Sequence, residues 1–381
     1  MTAFEWLLIG FGVTATALHL GSVAIAMLRC REGASRPPPG GGAPSVSILR
    51  PICGLDRYDE VTLRSGFSLD YPNFAMIFCC ADAGDPAAHL VRRLIDANPH
   101  VRASLLIGNH AISANPKLNN LVKGWQVAGG DWIIFADSNV LMPRDYVQRL
   151  LLGWRRDTGI LCSPPIGCRP EGFGAVLECA FLNTYQARWQ YAADSLGFGF
   201  AQGKTMLMRR GELARAGGIH ALAAEIAEDA AATKIVRGLG LDAALVDAPF
   251  RQPLGARTLK QVWDRQARWA RMRRMAFPGC FAVEVLTGCL LPLAALAYVG
   301  AANDLPTETV LAGVAGLATV WLGAEAVLAR AAGWHLSWQS PFAWMLRDVL
   351  LPFVWAHAWV TDSYAWRGNE ISTAESGARA G

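Results

Sequence analysis

Charge is scarce in this chain: 17% of its 381 residues are Asp, Glu, Lys or Arg, against 52% hydrophobic ones, and 35 basic and 31 acidic residues leave a net charge of +4. So small a surplus does not imply nucleic acid as a partner, and none is expected. The nine cysteines include no C-x-x-C pair and the seven histidines no H-x-x-x-H pair, which argues against a zinc ribbon, a histidine metal site or a secreted disulfide framework. Buried, reduced thiols and structural histidines are expected. Glycine and proline, 38 and 20 residues, follow no period, which removes collagen-like, low-complexity and disordered readings.

Apolar sequence is in excess. Residues 6–28 carry no formal charge and His19 is their only ionisable side chain, enough for a spanning helix, which needs about 20 apolar residues. Glu5 and the lack of Lys or Arg ahead of this run favour a retained anchor over a cleaved leader. Arg29 and Arg31 follow at once, so the positive-inside rule puts the N-terminus outside and the next segment in the cytoplasm. Two further runs, 277–301 and 309–328, are long enough to span and hold only Glu284 and Glu325. The run 349–360 has twelve residues without formal charge, contains Pro352 and follows Arg347-Asp348; a short span and a re-entrant or interfacial helix compete there. The expected organisation is an anchor over 1–30, a linker over 31–43 containing RPPPGGG, a globular segment over 44–275, a membrane region over 276–366 and a tail over 367–381, with three or four spans. Most tryptophans between 321 and 366 are expected at the membrane interface.

Within the globular segment, 45–49, 75–80, 103–107 and 132–136 are short, nearly continuous apolar runs, as in parallel strands buried on both faces. Helical patterns at 90–97 and 117–128 separate them, giving a doubly wound, Rossmann-like α/β sheet, which binds ligands beyond the carboxyl ends of its strands. Two of these strands lead into acid, at Asp82 and at Asp137-Ser138-Asn139. Such an Asp usually caps a turn or helix, but two at neighbouring strand ends could share one crevice, where like charges need a cation between them. Hard oxygen ligands beside a phosphate-bearing substrate suggest Mg²⁺ or Mn²⁺. Glu228-Asp229 opens a further helix. Arg265, Arg268 and Trp269 follow on one helical face, a geometry suited to clamping a diphosphate while the indole covers a sugar ring or lipid headgroup. Gly203-Lys204-Thr205 looks like the end of a P-loop but fails on spacing, since Phe198 stands where the first glycine must be.

The ordered set Asp82, Asp137-Ser138-Asn139, Glu228-Asp229 and R-x-x-R-W before membrane helices resembles the membrane-bound family 2 and 21 glycosyltransferases. It is most similar to ceramide glucosyltransferases and the related bacterial hopanoid-associated glycosyltransferases. The likeness runs through Arg50-Pro51-Ile52-Cys53-Gly54-Leu55-Asp56, Leu69-Asp70-Tyr71-Pro72, Asn115-Pro116-Lys117-Leu118-Asn119-Asn120 and Gly217-Gly218. It implies a GT-A catalytic domain between membrane helices in a cell inner membrane, facing the cytoplasm. It also implies a UDP-sugar donor, a divalent cation and a membrane lipid acceptor, ceramide or hopanoid. Asp82 then lies at the uridine, Asp137 holds the metal, and Lys117, Arg265 and Arg268 belong with the donor. Asp229 is the catalytic base, and Trp269 and Gln186 serve acceptor binding and closure. Animal ceramide enzymes carry histidine where Gln186 aligns. One base without a second nucleophile implies a single inverting displacement. A processive polysaccharide synthase is the alternative; outside enzymes, the glutamates at 284 and 325 motivate a transporter or scaffold.

Overall fold

The four largely apolar runs read from the sequence form strands that pair side by side. The computed structural model describes residues 1–31 and 42–361, with the backbone of two short strands at 363–366 and 369–372. Most of the expected linker and tail lies outside the described residues. The strands are β1 (Val46–Ile52), β2 (Phe74–Cys80), β3 (Ala103–Ile107), β4 (Trp132–Ala136), β5 (Thr158–Cys162), β6 (Ile166–Glu171), β7 (Thr205–Arg209), β8 (Asp242–Leu245) and β9 (Arg251–Ala256). Seven of them form one sheet in the order β3-β2-β1-β4-β7-β5-β8, and β6 pairs with β9. The first four strands of that order are mutually parallel.

The four strands expected to be parallel are parallel, and β7, which lies outside those apolar runs, runs antiparallel to both β4 and β5. Its register sets Ala136 opposite Thr205. The carboxyl end of β4 therefore lies beside the amino end of β7, and the residues just before β7 join the ligand-binding edge. Arg50 on β1 is fully buried. Its guanidinium donates to the carbonyls of Asp137 at 3.1 Å, Ser138 at 2.9 Å, Val140 at 3.2 Å and Thr62 at 2.9 Å. A buried cation must be hydrogen-bonded to persist, and here its donors fasten the loop that follows β4.

The chain divides into two compact units: residues 42–169 and 193–255 carry the seven-stranded sheet, and residues 1–31, 170–192 and 256–361 form the other. Residues 170–192 and 256–275, expected within the 44–275 segment, thus pack with the hydrophobic helices. In that second unit, helices Ala3–Arg29 and Thr307–Ala331 are long and apolar enough to cross a membrane. The run 277–301, expected to be long enough to span, is built of two pieces, Pro278–Thr287 and Leu290–Ala302, bent by 52°. Glu284 is drawn off the apolar path by Arg273, whose Nε and Nη2 donate to its two oxygens at 2.9 and 2.7 Å, and Gly288 takes extended backbone at the break.

The last hydrophobic helix runs Ser340–Val360 with Pro352 inside it, longer than its charge-free run suggests. Arg347 and Asp348 can enter because their charges are matched. Arg347 donates to both oxygens of Glu325 at 2.8 Å and to Asp348 Oδ1 at 2.7 Å, and Asp348 Oδ2 accepts from the Cys289 N–H at 2.9 Å. Burying these ions is costly, and only such complete pairing repays it. Arg347 also donates to the Ala180 carbonyl and Thr184 Oγ1, at 3.2 and 3.1 Å, within a π-helical stretch, Ala180–Ala187. With Glu284 and Glu325 both held by arginine, the observation that motivated a transporter is accounted for by packing.

Two smaller expectations are corrected by burial. Trp321, Trp334 and Trp344 are buried in protein, so these three are packing residues, not interfacial anchors; Trp321 stacks on His19 at 4.0 Å. Cys53 and Cys280, expected to be buried, are exposed.

Candidate active site

The site grows from three chain ends that meet at the carboxyl edge of β4. The first is the loop Asp137–Asn139, fastened by Arg50 as described. The second is the start of helix Pro116–Val127. Asn115 caps it, its Oδ1 accepting from the N–H groups of Lys117 and Leu118 at 2.9 and 3.2 Å, and Pro116 sits at the first turn, where a missing N–H costs nothing. This cap fixes Lys117 one residue into the helix. The third is the segment 201–204 running into β7, stitched to helix Glu228–Gly238. Thr233 Oγ1 accepts from the Ala201 N–H at 2.9 Å, and Asp229 Oδ2 accepts from the Gly203 N–H at 2.9 Å.

These ends bring five charged side chains together. Lys117 Nζ lies 2.7 Å from Asp137 Oδ1 and 2.5 Å from Glu228 Oε1, and donates to the Gly203 carbonyl at 2.6 Å. Lys204 Nζ is 2.7 Å from Asp137 Oδ2 and 3.4 Å from Asn139 Oδ1. Asn115 Nδ2 donates to Glu228 Oε2 at 2.7 Å. Asp229 Oδ1 accepts from the Ala230 N–H at 2.9 Å.

The titration behaviour follows. Burial opposes ionisation of Asp137, but the two ammonium groups more than offset it and hold its pKa well below the carboxylate range. Lys117 is desolvated too, yet Asp137 and Glu228 raise its pKa above the usual lysine value. Asp229 goes the other way: burial first, and the adjoining Glu228 charge second, push its pKa up to about 6, against the pull of Lys117 and two backbone N–H donors. Two carboxylates set apart in this manner, one held ionised and one poised near neutrality, is the pattern of an acid–base site.

Asp82, just beyond β2, is exposed and accepts from the Gly84 N–H at 2.9 Å; it lies on the same sheet edge as Asp137, with β1 between their strands. In the other unit, Arg265, Arg268 and Trp269 lie on helix Leu259–Ala276, which opens with a capping box between Thr258 and Gln261. Arg265 forms an ion pair with the buried Glu178 and sits over the Trp269 ring at 6.0 Å. Gln186, in the π-helical stretch, donates from Nε2 to Gln266 Oε1 at 2.8 Å. The Gln266 Nε2 beside it is buried without a hydrogen-bond partner.

Residues missed by sequence reasoning are Lys204, Gly203, Glu228 as an ion-pair partner, Asn115 and Arg50. The signal for Lys204 and Gly203 was the Gly203-Lys204-Thr205 triplet, set aside for its spacing. The signal for Arg50 was a basic residue inside an apolar strand. Gly203 is small for a reason: a Cβ there would sit 2.9 Å from Glu228 Oε1 and 3.2 Å from Asp229 Oδ2. We expect Gly203→Ala to lower catalytic turnover at least about tenfold by displacing both carboxylates, with thermal unfolding shifted only slightly; a turnover equal to wild type would contradict this geometry.

A divalent cation can be weighed against these residues. Asp137 and Asn139 turn hard oxygen atoms towards one positive charge, now the Lys204 ammonium, so the donor chemistry suits Mg²⁺ or Mn²⁺. Among the described residues no group of three or more His, Cys, Asp or Glu could hold a metal. The chain thus fits such an ion only as part of a shell that substrate phosphates complete, which is how Mg²⁺ is commonly bound.

A mixed α/β sheet with an acid-rich carboxyl edge, joined to membrane-type helices, defines a GT-A-like glycosyltransferase. A mannosyltransferase from Pyrobaculum calidifontis, solved with GDP-Man and Mn²⁺, has the same fold: TM-score 0.53 at 17% identity, covering 90% of this chain and 99% of that one. The sequence model described as glycosyl transferase family 21 matches residues 14–379, and the chain belongs to that family. Ceramide glucosyltransferases 1 and 3 of Caenorhabditis elegans are similar to it at 25% and 26% identity, over 86% and 88% of this chain and 71% and 74% of theirs.

Proposed function

We propose that the protein moves a single hexose or N-acetylhexosamine from a UDP-sugar to the hydroxyl of a membrane lipid, ceramide-like or hopanoid, with inversion. The observation that carries this reading is the lysine-locked Asp137 next to an Asp229 poised near pH 6; family membership and the ceramide glucosyltransferase relatives support it. Asp229 takes the proton of the acceptor hydroxyl as that oxygen bonds to the anomeric carbon and the bond to the diphosphate breaks. Lys117 and Lys204 keep positive charge where the diphosphate gathers negative charge. Asp137 and Asn139, together with the phosphates, would hold a Mg²⁺ or Mn²⁺ ion, which would supply Lewis-acid stabilisation of the leaving group. Asp82 is assigned to the uridine, Arg265 and Arg268 to the donor, and Trp269 and Gln186 to the acceptor. The hydrophobic helices keep the enzyme in a cell inner membrane as a multi-pass protein, with its catalytic domain, 44–275, on the cytoplasmic side.

The test is transfer by protein in lipid or detergent, with UDP-glucose or UDP-N-acetylglucosamine, Mn²⁺ or Mg²⁺, and ceramide or a polyhydroxylated hopanoid. The expected result is UDP release with a lipid heavier by one sugar. No UDP release with either donor and either acceptor sinks the proposal, and a ladder of longer glycans replaces it with a processive synthase.

A further inference from the structure

The Gly203-Lys204-Thr205 triplet is the sequence feature that the proposed roles leave largely unused, and its lysine stands at the heart of the cluster. Lys204 reaches Asp137 only because β7 is antiparallel to β4: the Asp137 N–H donates to the Lys204 carbonyl at 3.0 Å, continuing the ladder one residue past Ala136 and Thr205. From that fixed backbone the ammonium spans Asp137 Oδ2 and Asn139 Oδ1. Both are oxygens of the kind a hard cation takes. The other oxygen of Asp137 is taken by Lys117.

From this geometry we infer that Lys204 is a built-in competitor for the divalent cation, an ammonium that holds the metal's place on Asp137 and Asn139 until cation and diphosphate arrive together. The inference rests on the proposed donor chemistry. With Lys204 in place, Asp137 and Glu228 are paired by two ammonium groups, with Asp229 beside them within the field of Glu228 and Lys117, so a bare divalent ion enters a site whose charge is nearly balanced and whose ligands are already engaged. A nucleotide diphosphate changes both conditions. It adds oxygen ligands for the metal and gives the displaced ammonium a new anionic partner, as a lysine point charge readily provides. The consequence is ordered use of the site: weak metal binding alone, much stronger binding with the nucleotide.

The test reads Mn²⁺ directly. Free Mn²⁺ is followed by electron paramagnetic resonance during titration of the full-length protein in detergent, with and without UDP. Wild type should bind Mn²⁺ weakly alone and at least about tenfold more tightly with UDP, since one unit charge at contact distance is worth more than the 1.4 kcal/mol that a tenfold change represents. Lys204→Met should bind Mn²⁺ alone at least about tenfold more tightly than wild type, and UDP should then add much less. Lys204→Arg, which keeps a cation there, should stay near wild type. Lys204→Gln, polar and of similar length, should repeat the methionine result and stands in if Lys204→Met fails to fold. Mn²⁺ affinity that is unchanged or weaker in both neutral variants overturns the inference, as does a wild type that binds no Mn²⁺ with or without UDP. None of these readings requires transfer, so loss of the proposed function would appear separately, as absent UDP release in wild type whose Mn²⁺ titrations behave as described.

Discussion

Replacing Asp229 by asparagine should lower kcat by about 10²- to 10⁴-fold, the usual contribution of a positioned general base, while Mn²⁺-dependent UDP affinity stays within a few-fold of wild type. Asparagine keeps the shape and one carbonyl acceptor for the Gly203 or Ala230 N–H but cannot take a proton. The pH dependence gives a second readout. A carboxylate acts as a base only when ionised, and with a pKa near 6 it is about one-tenth ionised a unit below and about nine-tenths a unit above. kcat should therefore rise with pH through about 6 and level off, and the residual activity of the variant should lack that limb. Stability should move the opposite way. A folded-state pKa raised above the unfolded carboxylate value means that ionising Asp229 costs stability as pH climbs through 6, so the variant should melt no lower than wild type at pH 8. Asp137→Asn, by contrast, should weaken Mn²⁺-dependent UDP binding as well as turnover, because it removes a ligand and an ion-pair partner. Equal loss of UDP affinity in the two variants would contradict the division of roles.

The parts of this molecule that could be read in advance are those set by local sequence. β3 and β4 coincide with their apolar runs at 103–107 and 132–136; for β4, covered on both faces, the reason is that such a strand leaves no room for polar alternation, whereas β3 is an edge strand with Ser104 and Ile107 exposed. Asp137 and Asp229 stood out as acids at element ends. What could not be read depends on pairing between distant segments. The short run of β7 carries no mark of its direction, yet direction decides that Lys204 reaches Asp137. Glu228 looked like the first turn of a helix, and only the approach of Lys117 and Asn115 makes it part of a network. The break at Gly288 and the inclusion of Arg347-Asp348 in a hydrophobic helix have one origin. Hydropathy counts each charge by itself, whereas Arg273, Glu325 and Arg347 arrive from elsewhere in the chain to neutralise it. The helix bearing Arg265 and Arg268 was visible from its spacing, but the claim of Glu178 on Arg265 was not.

Lys117→Met should be the most destabilising single change at the site. The methionine fills much of the space but leaves Asp137 and Glu228 facing each other without the charge that joined them. Removing one member of a buried ionic network commonly costs about 3–5 kcal/mol. The lower end applies here, because Asp137 keeps Lys204 and Glu228 keeps the Asn115 amide. At about 2–4 °C per kcal/mol for a domain of this size, thermal unfolding should fall by roughly 6–12 °C at pH 7. The sign of the pH dependence is fixed by both partners. The Lys117 pKa is raised on folding, so its stabilisation is present throughout the acidic and neutral range and is lost only as pH rises through that high value. The Asp137 pKa is depressed, so its stabilisation is present above the ordinary aspartate value and disappears as pH falls towards the folded one. The gap between wild type and variant should therefore be widest from neutral to mildly alkaline pH and narrow as pH falls below the ordinary aspartate value of about 4. Adding Glu228→Gln to the variant removes one of the stranded charges and should restore part of the loss. A melting temperature unchanged in Lys117→Met at pH 7, or a double variant less stable than the single one, would show that the lysine is not what holds the two acids together.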